Sequence, residues 1–139
     1  MLKSILIRFY IFKITIQDPF YVLKIDDIIE KYENWLKKFP RVLPHYAVKC
    51  NNDPVMLKIL ANLGCCFDCA SKTEIQSILD LGVSTDRIIY ANPCKQSTYI
   101  EFAKEKGVDC MTFDNEDELI KIKEIFPNAR LVFHSLLIN

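Results

Sequence analysis

Glycine is scarce in this chain: there are three in 139 residues, and no two of them form a G-x-G arrangement. A doubly wound sheet that binds a nucleotide would be expected to carry a glycine-rich turn after its first strand. An excess of one charge is also missing, because 18 lysines and arginines balance 18 aspartates and glutamates and no basic stripe is present. This balance gives no reason to expect nucleic acid as a partner.

A long uninterrupted apolar run is missing as well. The stretch Met1–Ile16 is apolar, but three basic residues interrupt it, and it is too short for a membrane helix. No small-residue cleavage site follows it, so a secretory signal is not indicated. Residues 8–17 alternate like a strand. We treat residues 1–18 as an atypical N-terminal segment and expect no membrane partner.

Disulfide and zinc-site spacings are absent, although the chain has six cysteines. A chain of this length without a clear secretory signal is not expected to depend on disulfides. Cys66 and Cys69 form a C-x-x-C pair, but no second pair and no histidine follow at zinc-site spacing. A redox C-x-x-C would begin a helix, whereas this pair lies in an apolar run that predicts a strand. We expect free thiols, no metal and a cytoplasmic location.

Half of the residues are hydrophobic, which is typical of a globular domain. Near the start, Phe20–Leu23 predicts a short strand. Asp26 or Asp27 is then expected to cap a helix with an apolar stripe, which Pro40 ends.

From there a strand-and-helix unit recurs. Predicted strands begin at positions 44, 65, 87, 109 and 129, about 20 to 22 residues apart. Three of the helices between them carry start signals: Asp53-Pro54, a capping box from Ser71 to Glu74, and Asp114 or Asn115. A further helix is predicted over about Ser97–Lys106. This order predicts an α/β fold with a parallel sheet. Of the two architectures that fit, the missing glycine-rich turn favours the (β/α)8 barrel, of which this chain would hold about five strands.

Lys49 is the first candidate for chemistry. It lies near the end of the apolar, β-prone run Leu43–Asn51, and on a strand the side chains alternate between the two faces. Barrel enzymes place reactive groups at the carboxyl ends of strands, and a desolvated lysine can form a Schiff base. The alternative is a lysine at a strand end with its head in water.

Four further positions fall at the same end of the predicted strands. Asp68 could lie near Lys49 if their strands are parallel neighbours, or could simply be a satisfied charge. Glu74 already has a structural role in the capping box. Asn92-Pro93-Cys94-Lys95 forms a turn after the third strand. His134 ends the fifth strand, where a lone histidine is more often a surface residue than an acid or base.

Several runs around these positions resemble eukaryotic ornithine decarboxylases. The resemblance covers about residues 19–132 and rests on four ordered segments: Pro44–Asn51 (PHYAVKCN), Phe67–Gln76 (FDCASKTEIQ), Arg87–Gln96 (RIIYANPCKQ) and Met111–Asp114 (MTFD).

This resemblance implies an alanine-racemase-like barrel and a decarboxylase that depends on pyridoxal 5′-phosphate (PLP). Lys49 would hold PLP as a Schiff base, and Asp68 and Glu74 match family positions near the cofactor. The implied reaction converts ornithine to putrescine, the entry to polyamine synthesis, in a homodimer. An arginine or lysine decarboxylase of the same fold remains open.

Two departures from the family pattern qualify this expectation. His134 stands where the decarboxylases carry an arginine. The related antizyme inhibitors, which bind antizyme without decarboxylating, have histidine there but lack the acidic residues that this chain keeps as Asp68 and Glu74. The family's antizyme-binding region matches about residues 97–120, where Glu101 replaces a lysine and so weakens an interface expected to rely on basic groups. A non-catalytic, antizyme-binding protein is nevertheless the alternative function.

The resemblance also implies that the chain is short for this family. A barrel needs about 250 residues, and the resemblance corresponds to the N-terminal third of such an enzyme. We expect residues 19–134 to form the N-terminal part of a PLP-binding barrel and residues 135–139 to be a divergent tail. With its phosphate loop and partner-subunit groups missing, the chain is expected to be inactive alone, and its open sheet edge predicts aggregation.

Overall fold

The computed structural model describes residues 19–134 of the chain. The predictions for the N-terminal segment 1–18 and for the tail 135–139 lie outside the described residues. Within the described range, five strands alternate with helices. The strands are β1 (His45–Ala47), β2 (Cys66–Cys69), β3 (Ile88–Tyr90), β4 (Cys110–Phe113) and β5 (Arg130–Phe133). The α-helices are α1 (Ile25–Lys38), α2 (Pro54–Leu63), α3 (Lys72–Asp80), α4 (Ser97–Lys106) and α5 (Glu116–Ile125).

The five strands form one parallel sheet in the order β1-β2-β3-β4-β5. Each strand pairs with the next one along the chain, so the order never reverses as it does in a doubly wound sheet. This order is that of consecutive strands in a (β/α)8 barrel, and the predicted α/β class is confirmed. Each strand begins one residue after its predicted start.

The hydrophobic core lies between the sheet and the helices. Alternation along the strands sends one set of side chains into this layer, and in β2 that set is Phe67 and Cys69, both fully buried. Tyr90 on β3 and Met111 on β4 are buried in the same cluster. This layer fixes the register of each strand, because a slip by one residue would expose these side chains.

Local signals in the sequence account for the helix ends. Asp53 accepts hydrogen bonds from the backbone N–H groups of Val55 and Met56 at 3.0 and 3.1 Å, and Pro54 occupies the first helical position of α2. Gly64 ends the same helix in the left-handed conformation, with φ of +90°. Helix α4 has the predicted bounds, and Asn115 caps α5.

The start of the described chain differs from its prediction. Residues 20–23 form no strand, because their side chains are exposed and have no buried face on which a strand could form. Lys24 occupies the N-cap position of α1, and Asp26 and Asp27 lie within its first turn. Acidic side chains there are favoured by the helix dipole, which explains why they signalled a helix start without capping it.

Two predicted strands are shorter than expected. β1 ends at Ala47, and the next three residues, Val48–Cys50, form a 3₁₀ turn. The strand assignment of Lys49 was therefore wrong, because the chain already turns there towards α2. Arg87 belongs to a 3₁₀ turn before β3, and its guanidinium donates to the carbonyl groups of Ala61 and Cys65 at 2.8 and 2.7 Å. None of the described helices is long and apolar enough to cross a membrane.

Candidate functional site

The carboxyl ends of β1 and β2 bring Lys49 and Asp68 to one edge of the sheet. In the parallel register, Ala47 lies opposite Asp68, and Lys49 follows Ala47 by two residues. Val48, between them, is fully buried and anchors the 3₁₀ turn in the core. The turn leaves Lys49 exposed, so its amine is accessible to a ligand rather than sealed in the core.

Asp68 is the strained group at this edge. Burial raises the pKa of its carboxyl group, the positive charges of Lys49 and His45 act to lower it, and Glu74 acts to raise it further. Its Oδ1 atom is buried and has no hydrogen-bond partner among the described residues. A buried carboxylate oxygen without a donor is costly, and such groups are concentrated at functional sites.

Glu74 sits at the start of α3, directly after the β2 turn. Its Oε2 atom accepts the backbone N–H of Ala70 at 2.6 Å, and its own N–H donates to Ser71 Oγ at 3.2 Å. The predicted capping box is therefore modified: Ser71 caps the helix as expected, but the Glu74 carboxylate reaches one residue further back than the N-cap. Its charge acts on Asp68, so the two acidic candidates are neighbours.

The β3–α4 loop, residues 91–96, adjoins these groups through Ala70. The side-chain amide of Asn92 donates to the Ala70 carbonyl group at 3.5 Å, and the Ala91 N–H donates to the Cys69 carbonyl group at 2.8 Å. The predicted turn at Asn92–Lys95 is thus joined to the end of β2. Asn92 Oδ1 also accepts the Cys94 N–H at 3.2 Å, which shapes the loop locally.

Lys95 and Glu118 form a buried ion pair that sequence reasoning missed. Lys95 Nζ lies 2.9 Å from Glu118 Oε1, with the two side chains 0% and 2% exposed. Burial lowers the pKa of Lys95, and Glu118 opposes that effect. Burial also acts to raise the pKa of Glu118, but hydrogen bonds from Lys121 and Lys95 outweigh it and lower the pKa. The two residues are 23 positions apart in different units, so no local pattern indicated the pair.

His134 is not brought to this cluster. It follows β5, four strands away from β1 in the sheet, and its N–H donates to the Phe113 carbonyl group at 2.7 Å. The residue is exposed. The predicted strand end at His134 is one residue late, because β5 ends at Phe133, and His134 contributes nothing to the geometry around Lys49 and Asp68.

The cysteines do not form a second reactive centre. All six are free thiols, and both cysteines of the C-x-x-C pair lie on β2, as predicted. Burial raises the pKa of Cys69 to about 12 and that of Cys65 to about 11. Among residues 19–134, no group of three or more histidine, cysteine and acidic side chains is placed to hold a metal ion.

An apolar groove of about 520 Å³ lies between α1 and the β1 edge of the sheet. Tyr32 and Trp35 line it from the helix, and Tyr46 and Met56 line it from the other side. Lys49, Asp68 and Glu74 do not line this groove, so it is separate from the charged site.

Curated relatives match most of the chain. It is 53% identical over 115 residues to ornithine decarboxylase of Schizosaccharomyces pombe, which covers 83% of the chain and 27% of the relative. It is 54% identical over 116 residues to antizyme inhibitor 2 of Xenopus laevis, covering 84% and 25%. The chain therefore spans about a quarter of these relatives, somewhat less than the third expected from the sequence.

Solved structures show the same fold. Lysine decarboxylase from Selenomonas ruminantium matches with a TM-score of 0.82 at 34% identity, covering 88% of the chain and 33% of that structure. Ornithine decarboxylase from Entamoeba histolytica matches with a TM-score of 0.81 at 34% identity, covering 84% and 37%. Arginine decarboxylase of Paramecium bursaria Chlorella virus matches with a TM-score of 0.73 at 46% identity, covering 78% and 28%.

The family model for the pyridoxal binding domain of pyridoxal-dependent decarboxylases matches residues 25–137. This range includes Lys49, Asp68 and Glu74 together with every strand described above. The resemblance to decarboxylases, the alanine-racemase-like barrel fold and the predicted cofactor are confirmed at the level of the family. The chain belongs to the pyridoxal-dependent decarboxylase family, and it carries residues of the family's pyridoxal binding domain.

Proposed function

We propose that this chain supplies the lysine-bearing part of a decarboxylase that uses pyridoxal phosphate to convert ornithine to putrescine. The observation that carries the proposal is the cluster of Lys49, Asp68 and Glu74 at the carboxyl edge of β1 and β2. Barrel enzymes build their sites at this edge. Relatives named ornithine decarboxylase are about half identical to the chain, which favours ornithine over arginine or lysine as the substrate.

The residues present fit a pyridoxal group. Lys49 offers an exposed amine that an aldehyde can reach, and Asp68 offers a buried oxygen that lacks a hydrogen-bond donor among the described residues. Lys49 would hold the cofactor, and Asp68 and Glu74 would lie beside it. When bound, pyridoxal phosphate supplies an electron sink for the loss of carbon dioxide.

The chain's own residues contribute in two ways: some fix the position of the backbone, and one acts through its charge. Val48 fixes the turn that carries Lys49, because its side chain is fully buried. The negative charge of Asp68 attracts the Lys49 ammonium group. Glu74 holds the Ala70 N–H and thereby fixes the backbone directly after Asp68. The three side chains thus define one charged edge on which a ligand amine and a carbonyl group can be oriented.

Reductive labelling tests the cofactor part of the proposal. The protein is incubated with pyridoxal phosphate, reduced with borohydride, digested and mapped by mass spectrometry. We expect the adduct on Lys49 and little on Lys58, which is also exposed but lies on α2, away from Asp68 and Glu74. Equal labelling of the two lysines would remove the proposed role of Lys49.

The substrate is tested with the whole gene product, because the chain spans about a quarter of its relatives. Ornithine, lysine and arginine are offered in parallel, and the amine products are quantified. We expect putrescine from ornithine to dominate, in a homodimer located in the cytoplasm. Preference for lysine or arginine would keep the decarboxylase function and overturn the substrate. The 139-residue chain alone is expected to show no turnover.

A second function, binding of antizyme without catalysis, is favoured by the similarity to antizyme inhibitor 2. Helix α4 would belong to such an interface, and Glu101 on it is exposed. A pull-down with antizyme tests this function, and Glu101→Lys is the informative variant. Binding that strengthens in the variant would support an interface through α4, whereas no binding by either form would exclude it.

A further inference from the structure

We propose that Lys95 is a positioning residue for the charged edge: its ammonium group fixes the β3–α4 loop, and through that loop it holds the Ala70–Glu74 turn. Lys95 touches none of the three site residues itself. Its influence would pass through a continuous series of hydrogen bonds that runs from α5 to the end of β2.

The first step is the saturation of the Lys95 ammonium group. Nζ lies 2.9 Å from Glu118 Oε1 and donates to the Asn92 carbonyl group at 2.9 Å and to the Thr112 carbonyl group at 2.5 Å. An ammonium group has three donors, and all three are used. The Lys95 backbone N–H also donates to Glu118 Oε1 at 3.1 Å. The loop is therefore held to β4 and α5 from a fully buried point.

The second step joins the loop to β2. Asn92, whose carbonyl group binds Lys95 Nζ, donates its side-chain amide to the Ala70 carbonyl group at 3.5 Å. The neighbouring Ala91 N–H donates to the Cys69 carbonyl group at 2.8 Å. A displaced loop would therefore pull on the backbone on both sides of the Cys69–Ala70 peptide.

The third step reaches the acidic residues. The Ala70 carbonyl group accepts a hydrogen bond from the Asn92 side-chain amide, and the Ala70 N–H donates to Glu74 Oε2 at 2.6 Å. Asp68 lies two residues before Ala70 on the same chain, and its charge interacts with that of Glu74. The orientation of the Glu74 carboxylate, and with it the field at Asp68, would thus depend on where the loop lies.

Stability alone is a weak reason for this arrangement. Two charges buried at 0% and 2% exposure require desolvation, and apolar pairs of similar volume are often at least as stable. A hydrogen-bonded ammonium group does what an apolar side chain cannot, because it fixes acceptors on α5, on β4 and in the β3–α4 loop at defined directions. One part of the inference rests on the proposed function: the catalytic purpose of Asp68 and Glu74.

The Lys95→Met variant tests the positioning. Glu118 stays paired in this variant, because Lys121 Nζ lies 2.5 Å from Glu118 Oε2. We expect hydrogen exchange of the Ala70 amide to accelerate about fivefold or more, the factor expected for one ordinary hydrogen bond. We also expect the NMR titration of Asp68 to move, whereas the Leu57 amide on distant α2 stays unchanged.

Lys121→Met is the matched control. This variant removes the second lysine that pairs with Glu118. Lys121 is 31% exposed, and its loss leaves the hydrogen bonds of Lys95 in place. The Ala70 amide should then exchange as in the unaltered protein. If Lys95→Met fails to fold, Lys95→Met with Glu118→Gln removes both charges and retains an acceptor for the backbone N–H of residue 95.

An Ala70 amide and an Asp68 titration that match the unaltered protein in a folded Lys95 variant would overturn the inference. Equal effects of Lys95→Met and Lys121→Met would overturn it as well. Both measurements are made without pyridoxal phosphate. Failure of the cofactor proposal would appear separately, as missing borohydride labelling of Lys49 in the unaltered protein.

Discussion

The positive charge of Lys49 acts on the Asp68 carboxyl group across two neighbouring strands. Burial raises the pKa of Asp68, and Lys49 is the largest influence that lowers it. The parallel register creates this pairing, because it sets Ala47 opposite Asp68 and lets the turn after β1 carry Lys49 past it. Keeping this carboxylate charged therefore costs the fold free energy.

Asp68→Asn is expected to stabilise the protein at neutral pH. Because the folded-state pKa of Asp68 is raised, its carboxyl group costs nothing well below the ordinary value of 3.8. The stability lost to the ionised carboxylate grows as the pH rises from there through the folded-state pKa. Removing the charge should add about 1 kcal/mol at neutral pH, within the range that single stabilising substitutions reach. Urea unfolding at about pH 4 and at neutral pH measures the difference.

Asp109→Asn provides the control of opposite sign. The Arg130 guanidinium binds the partly exposed Asp109 carboxylate at 2.9 and 2.7 Å and lowers its pKa. This contribution is present above the ordinary pKa and is lost as the pH falls, so the variant should lose some stability at neutral pH. If Asp68→Asn lost stability in the same way, the burial argument for Asp68 would be wrong.

Glu74 variants should separate its structural role from its role at the site. Glu74→Ala removes the acceptor of the Ala70 N–H and should cost about 1 kcal/mol in urea unfolding. Glu74→Gln retains an oxygen acceptor, so it should cost less stability but still reduce borohydride labelling of Lys49. The reduction is expected because the proposed function places the Glu74 carboxylate beside the cofactor.

The matched control for Glu74 is Ser71→Ala. It deletes the other hydrogen bond of the cap, from the Glu74 N–H to Ser71 Oγ at 3.2 Å, and should also cost about 1 kcal/mol. The carboxylate remains, so labelling of Lys49 should be unchanged. Loss of labelling in Ser71→Ala, with Glu74→Gln unaffected, would assign the effect to the helix cap instead.

Thiol reactivity should follow burial along the chain. Cys50 and Cys94 are exposed and should react first with a disulfide reagent. Cys69, whose pKa burial raises to about 12, should stay unmodified until the protein unfolds. Mass spectrometry after short and long exposure, with and without urea, gives the order. Modification of Cys69 as fast as Cys94 in the native protein would contradict the packing of β2.

Gly64→Ala should destabilise the protein by about 1–2 kcal/mol, the cost of a left-handed backbone for a residue with a Cβ. Space is not the cause, because the new Cβ would meet Tyr32 Oη at 3.6 Å, an ordinary contact. Gly82→Ala is the comparison: its φ is +79° and nothing lies within 4 Å. Thermal unfolding should show similar losses for both variants, and a normal stability for either would contradict the backbone argument.

Part of the fold could be predicted from local signals. Caps and stops such as Asp53-Pro54, Gly64 and Asn115 act within one helical turn, so their effect can be predicted from neighbours in the sequence. The same holds for the helix Ser97–Lys106. The strand predicted from the β-prone residues 20–23 was wrong, because a strand also needs a partner strand and a buried face, which local composition does not reveal.

The sequence by itself determined the repeat of strands and helices, the parallel sheet that follows from it, and the candidate roles of Lys49, Asp68 and Glu74. Only the tertiary structure decided how they meet: the turn that exposes Lys49 and the reach of Glu74 to Ala70. The pairing of Lys95 with Glu118 was likewise decided there. The physical reason is distance along the chain, since burial and charge act between side chains that the fold brings together from separate units.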